Sequence, residues 1–253
     1  MRVDLKNMQL PEITELLKSG VHFGHKTAKW HPSMEKFIFG ERKGVHIIDL
    51  AQTLSALEEA IKFINQIIAK NGVILFVGAK EQASELIRKA ALEMNMPYIG
   101  GKWIGGTITN WPIIKKQILK LRKTRDEKEK GEWSKYTKKE RVVLEHMLKK
   151  LDLLYSGLVN LDKTPDALFI ADCKENKTAL REANLKNIPV IALTDTNVNI
   201  RKISHPIPAN DDAVKSLELL INVIKSAVIE AKQNTPQSKI IKAENIAQST
   251  VKI

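Results

Sequence analysis

The chain is poor in the features that build secreted, metal-stapled or membrane-spanning proteins. Its 253 residues include one cysteine, Cys173, which excludes an internal disulfide framework and a multi-cysteine zinc site. No run of ~18 apolar residues occurs, so a spanning helix is excluded. The first twenty residues, MRVDLKNMQLPEITELLKSG, carry charges throughout and lack the apolar stretch of a signal peptide. Neither GxGxxG nor GxxxxGK[ST], the glycine patterns that cradle nucleotide phosphates, is present. Acidic residues are also short. The 29 Asp and Glu face 41 Lys and Arg, which leaves a net charge of +12. These absences lead to the expectation of a soluble, intracellular protein. The surplus of positive charge speaks to its partners and not to its fold.

What is present begins with a core. Forty-three per cent of the residues are hydrophobic, enough for one large or two small domains. Strands and helices alternate. Asp49 is placed to cap a helix with apolar residues at 50, 54, 57, 61, 64, 67 and 68, spacings of three and four that share one face. Asn71-Gly72 should stop it. Val73–Val77, Pro97–Ile99, Ala167–Ile170 and Val190–Leu193 read as strands, with helices over Glu81–Met94 and about Asn176–Leu185. Asp211-Asp212 is expected to cap a last helix to about Lys232. Such alternation predicts βαβ units in a mostly parallel sheet of about five strands. A β-hairpin over Phe37–Ile48, turning between Gly40 and Gly44, precedes it.

One segment breaks the alternation. Trp111, Ile114, Ile118 and Leu121 are spaced three, four, three, and so are Leu144, Met147, Leu151, Leu154 and Leu158, with a further four. Between them lies a polar stretch from Asp126 to Thr137. The pattern predicts an antiparallel coiled-coil hairpin inserted into the sheet. From 113 to 150 it holds fourteen Lys and Arg against six Asp and Glu. That surplus of eight fits a binder of phosphate backbone, and equally a solvated helical pair.

Val77-Gly78-Ala79-Lys80 is the nearest approach to a phosphate turn, and a nucleotide-binding α/β enzyme or regulator is the rival reading. His22, His25 and His31 cluster near the N-terminus. Asp195, His205, Asp211 and Asp212 could join them in a metal site, but no fixed ligand spacing is present. The competing reading places the histidines, Lys26, Lys29 and Trp30 against RNA. Cys173 reads as a structural thiol, and Asp195-Thr196-Asn197 as a turn or an active-site loop.

Several segments together resemble one family. Leu16-Leu-Lys-Ser-Gly-Val-His-Phe-Gly-His25, Trp30-His-Pro-Ser-Met34, Phe37-Ile-Phe-Gly-Glu-Arg-Lys-Gly-Val-His-Ile-Ile-Asp-Leu50 and Phe76-Val-Gly-Ala-Lys80 are similar to the bacterial-type small-subunit ribosomal protein two family. Gly105-Gly-Thr-Ile-Thr-Asn110, Pro165-Asp-Ala-Leu-Phe-Ile170 with Glu182, Ile188–Asn197 and Pro206-Ile-Pro-Ala-Asn-Asp-Asp212 continue the likeness in order. After Asn197 this chain departs from the family pattern with Val-Asn-Ile-Arg-Lys-Ile-Ser-His205.

The resemblance implies an α/β, flavodoxin-like doubly wound parallel sheet with the inserted antiparallel coiled-coil hairpin. The globular domain would span 1–110 and 159–232, the hairpin 111–158 and a flexible tail 233–253. It implies a structural, non-catalytic role binding small-subunit ribosomal RNA between head and body, beside neighbouring ribosomal proteins. It also implies help in docking the large first protein of that subunit. No membrane, small-molecule substrate, cofactor or metal is implied. The setting would be a cytoplasmic ribosome, or one inside an organelle. The candidate RNA contacts are His22, His25, Lys26, Trp30, Arg42, Lys43, Lys102, Thr107, Thr109 and Asn110. On the hairpin they are Lys115, Lys116, Lys120, Arg122, Lys123, Arg125, Lys138, Lys139 and Arg141.

Overall fold

A computed structural model describes residues 10–234. Helix α1 (Ile13–Lys18) leads into a three-stranded antiparallel sheet of β1 (Phe23–Lys26), β2 (Ile38–Arg42) and β3 (Val45–Ile48), in the order β1-β3-β2. Glycine at 44 is what lets β2 turn into β3. Lys43 and Gly44 both have positive φ, 52° and 75°, the conformation that two-residue hairpins require. The turn is therefore tighter than expected, because Gly40 pairs within β2. The expected hairpin also gains a third strand, β1.

Helix α2 (Leu50–Ala69) follows. Asp49 caps it by accepting the Ala51 N–H at 2.9 Å, and left-handed Asn71 ends it. Then come β4 (Ile74–Gly78), α3 (Glu81–Met94), β5 (Tyr98–Gly100), α4 (Trp111–Glu129), α5 (Lys138–Tyr155), β6 (Ala167–Ile170), α6 (Lys177–Leu185), β7 (Val190–Thr194), β8 (His205–Pro208) and α7 (Val214–Gln233). The large sheet is all parallel, in the order β5-β4-β6-β7-β8. Numbered by their turn in this sheet, the strands run 2-1-3-4-5, the flavodoxin-like order.

Both faces of the sheet are covered, which explains the unbroken apolar strands. Ile74, Phe76, Phe169, Ile191 and Ile207 pack towards α2, α3 and α7. Leu75, Val77, Leu168, Ile170 and Ala192 pack towards α4, α5 and α6. The fifth strand, β8, lies at an edge, where its two prolines cost no ladder bond with a further strand.

Two boundaries need correction. Asp211 and Asp212 do not cap α7, which begins after Ala213 without a side-chain cap; instead Asn210 accepts the N–H groups of Asp212 and Ala213 at 2.9 and 3.0 Å. The polar tip of the helical pair also starts later than expected, since α4 continues through Asp126 to Glu129. A Thr137–Glu140 capping box starts α5. Of the expected tail, all but its first two residues lies outside the described residues.

Candidate functional site

Ligands of doubly wound sheets bind at the carboxyl ends of the strands, where the strand order reverses. Here that point lies between β4 and β6, and Asp172, two residues beyond β6, fills it. Its Oδ2 accepts the N–H groups of Ala79 and Lys80 at 3.0 and 3.2 Å. Its Oδ1 accepts the Asn176 amide at 3.0 Å. A phosphate bound by the β4–α3 turn would need those same two N–H groups. Asp172 is fully buried, and burial raises its pKa against the pull of those bonds.

The neighbouring strand ends continue the network. Lys80 Nζ reaches Asp211 at 2.6 Å and Asp212 at 2.7 Å. Burial works to lower the Lys80 pKa, yet the two carboxylates outweigh it and raise it. Asp211 is pushed up to about 6, first by its burial and then by Asp195, with Lys80 opposing. From the small sheet, His25 Nδ1 sits 3.0 Å from Asp195 and Nε2 3.4 Å from Asp212. The hydrogen bond to Asp195 raises the His25 pKa against burial. His25, Asp195 and Asp212 present ligand atoms within 4.8 Å of one another, close enough to share a cation, beside a shallow hollow also lined by Gly24, Lys26, Lys29 and Asn210. Folding thus brings together His25, Asp195, Asp211 and Asp212. His205 instead stacks on Phe63, 4.2 Å between ring centroids, and His31 caps a short helical turn through Ser33. His22 lies against Phe23, and burial lowers its pKa. Burial also pushes the Cys173 thiol far up, which makes it inert.

A second buried carboxylate shapes the loop before α4. Glu182 Oε1 accepts from Trp103 Nε1 at 3.0 Å and the Gly106 N–H at 2.7 Å. Its Oε2 accepts the N–H groups of Ile108 and Thr109 at 3.1 and 3.0 Å, and the Thr109 hydroxyl at 2.9 Å. Burial works to raise the Glu182 pKa, but these donors outweigh it and lower it. One expected RNA contact is corrected here: Thr107 is buried, its hydroxyl donating to the Ile104 carbonyl at 2.6 Å. Lys102, Thr109 and Asn110 are exposed, with the Thr109 hydroxyl donating to Glu182.

The helical pair sorts its cations. Arg122 bonds the Val159 carbonyl and lies 3.3 Å from Asp162. Arg125 Nε donates to Asp152 at 2.8 Å, Lys128 pairs with Glu145 at 3.1 Å, and Lys115 donates to the Asp162 carbonyl at 3.2 Å. As α4 residue numbers rise, their partners' numbers fall, so α4 and α5 run antiparallel. Arg125 and Lys128 therefore join α4 to α5, while Lys115 and Arg122 tie α4 to the segment that follows α5. Lys123, exposed, has only a half-buried partner on its own helix, Glu127 at 3.8 Å. Lys116, Lys120, Lys138, Lys139 and Arg141 are exposed. So are Lys26, Arg42 and Lys43 on the small sheet, while Trp30 is partly exposed with its ring against His46. Sequence reasoning missed Lys80 and Asp172 as site residues. The available signal was an acid following each of two buried strands, at 172 and 195.

Fold and site together define a flavodoxin-like α/β protein whose switch point is closed by its own carboxylate. The chain belongs to the ribosomal protein S2 family, whose model matches residues 16–231. It is 42% identical over 224 residues to a small ribosomal subunit protein uS2 of Micrococcus luteus, covering 87% of this chain and 79% of the relative. Proteins of the same name from Corynebacterium diphtheriae and Rhodococcus opacus are 38% identical over 242 residues and 41% over 226. They cover 95% and 89% of this chain, and 91% and 78% of the relatives.

Proposed function

We propose that the protein is a structural, non-enzymatic constituent of the small ribosomal subunit that binds its RNA and works without turnover. The observation that carries this is the division of cations on α4 and α5: some are tied to internal partners, while Lys116, Lys120, Lys138, Lys139 and Arg141 face outward. Free outward lysines and arginines are what phosphate neutralisation needs. The pair acts as a coiled-coil arm inserted between residues 111 and 158. Lys116, Lys120, Lys139 and Arg141 contact RNA phosphates, and Lys26, Trp30, Arg42 and Lys43 add a second contact from the small sheet. Protein neighbours include the large first protein of the subunit.

The rival reading, a nucleotide-binding enzyme, meets Asp172 in the position its phosphate would need. Sucrose-gradient sedimentation of a lysate tests the proposal. The chain should comigrate with the small subunit at low and high magnesium. Reversing Lys116, Lys120, Lys139 and Arg141 to Glu should shift it towards the top of the gradient. Unchanged comigration of the variant would remove the arm from the binding surface, and wild-type chain at the top would remove the ribosomal role.

A further inference from the structure

Outside the α4–α5 arm, residues 174–204 hold six Lys and Arg against three acids. Two of those acids, Glu182 and Asp195, are buried and turned to internal partners. The exposed charge of the segment is therefore strongly positive.

Its geometry is fixed by three anchors. Lys177, Arg181 and Asn184 lie four and three residues apart on α6, which sets them on one exposed stripe. The Asn184 side chain donates to the Lys202 carbonyl at 3.0 Å, so the 3-10 turn Ile200–Lys202 sits at the end of that stripe. Ile200 is buried with Met34 and Phe37. Asn199 caps the turn by accepting the Arg201 N–H at 3.1 Å.

Arg201 and Lys202 are exposed, and among the described residues neither they, Lys177 nor Arg181 has an ion-pair partner. Like charges at i and i+4 repel, and so do adjacent cations. A rigid element that holds four unpaired cations together is arranged for an external anion. Leu185 is the one large apolar side chain of α6 counted among the exposed, too little for the apolar centre of a protein interface. α6 also packs on the same face of the large sheet as α4 and α5.

We infer that Lys177, Arg181, Arg201 and Lys202 form a further phosphate-backbone surface of the protein, separate from the α4–α5 arm, which binds small-subunit ribosomal RNA. This rests on the RNA-binding reading above.

The test is binding of the full-length protein to in vitro transcribed small-subunit ribosomal RNA across 50–200 mM salt. A triple variant, Arg181→Glu, Arg201→Glu and Lys202→Glu, is compared with a charge-matched control, Lys62→Glu, Lys70→Glu and Lys89→Glu. The control sites are exposed on or just after α2 and α3, across the sheet. Each lost phosphate contact flattens the log–log salt slope by about 0.7–0.9. The triple variant should therefore bind at least ~10-fold more weakly, with a slope shallower by about 2–3, while the control stays near wild type. Wild-type slope and affinity in the triple variant would overturn the inference and leave the arm as the RNA contact. An equal loss in the control would also overturn it, as an effect of net charge alone. Absence of salt-dependent binding by the wild type would instead overturn the RNA-binding reading itself.

Discussion

Replacing Glu182 tests whether a buried carboxylate organises the loop from Trp103 to Asn110. Glu182 is 5% exposed and accepts five hydrogen bonds, from one indole, three backbone N–H groups and one hydroxyl. Alanine leaves all five donors without their acceptor. A buried unsatisfied donor costs about 1–3 kcal/mol. The Thr109 hydroxyl can turn away, and the loop's exposed edge admits water to some of the rest. We therefore expect a loss of about 3–5 kcal/mol for Glu182→Ala. Glutamine keeps one acceptor oxygen but points an amide at donors, so about 2–3 kcal/mol is expected. In a chain of this size each kcal/mol lowers Tm by about 2–4 °C, so the alanine variant should melt roughly 6–20 °C lower. The pH dependence carries the sign of a depressed carboxyl. Glu182 titrates below its ordinary value of 4.5 when folded, so its stabilisation is present above about 4.5 and fades as pH falls through the folded value. The glutamine variant should lack that acid-limb loss. Urea titration at pH 7 and pH 4 measures both. An alanine variant within ~1 kcal/mol of wild type, or an acid limb unchanged in the glutamine variant, would refute the reasoning.

Two further outcomes are expected. A Cβ at Gly157 would meet the Tyr98 carbonyl oxygen at 2.2 Å, while one at Gly40 would meet nothing within 4 Å; Gly157→Ala should cost about 1–3 kcal/mol and Gly40→Ala less than about 0.5 kcal/mol by urea unfolding. His25 has a raised folded pKa, so its stabilisation is full below 6.5 and is lost as pH rises through the folded value. The His25 contribution to that fall should be missing from His25→Ala, whose urea midpoints should drop less across that range than those of wild type, and an NMR titration of the ring should move down in Asp195→Asn.

Much of the architecture was legible because burial on both faces writes itself as unbroken apolar runs. Ile74–Gly78, Ala167–Ile170 and Val190–Thr194 announce themselves in this way, and the seam of α2 follows from its spacing. β8 did not, since His205-Pro-Ile-Pro208 reads as a loop until an edge position makes prolines tolerable. β1 was hidden by its lack of apolar alternation. In the site, sequence could count the cations of α4 and α5 but could not assign their partners. Arg122 and Lys120 look alike in a charge map, and only the packed fold shows that one meets the Val159 carbonyl while the other meets solvent. The loop before α4 was hidden for the complementary reason. Short polar groups before a helix suit a phosphate, but the Thr107 hydroxyl is spent on the Ile104 carbonyl, and Glu182, far along the chain, supplies an internal anion to the backbone around Thr109.

Asp172 carries a consequence for life inside a cell. Flavodoxin-like sheets that leave their strand-end turn open answer to whatever phosphorylated metabolites surround them. This chain brings its own acceptor, buried two residues beyond β6 and already bonded to the Ala79 and Lys80 N–H groups. An incoming phosphate would have to displace a tethered side chain from both donors before it could bond either, so the turn competes against diffusing anions from within.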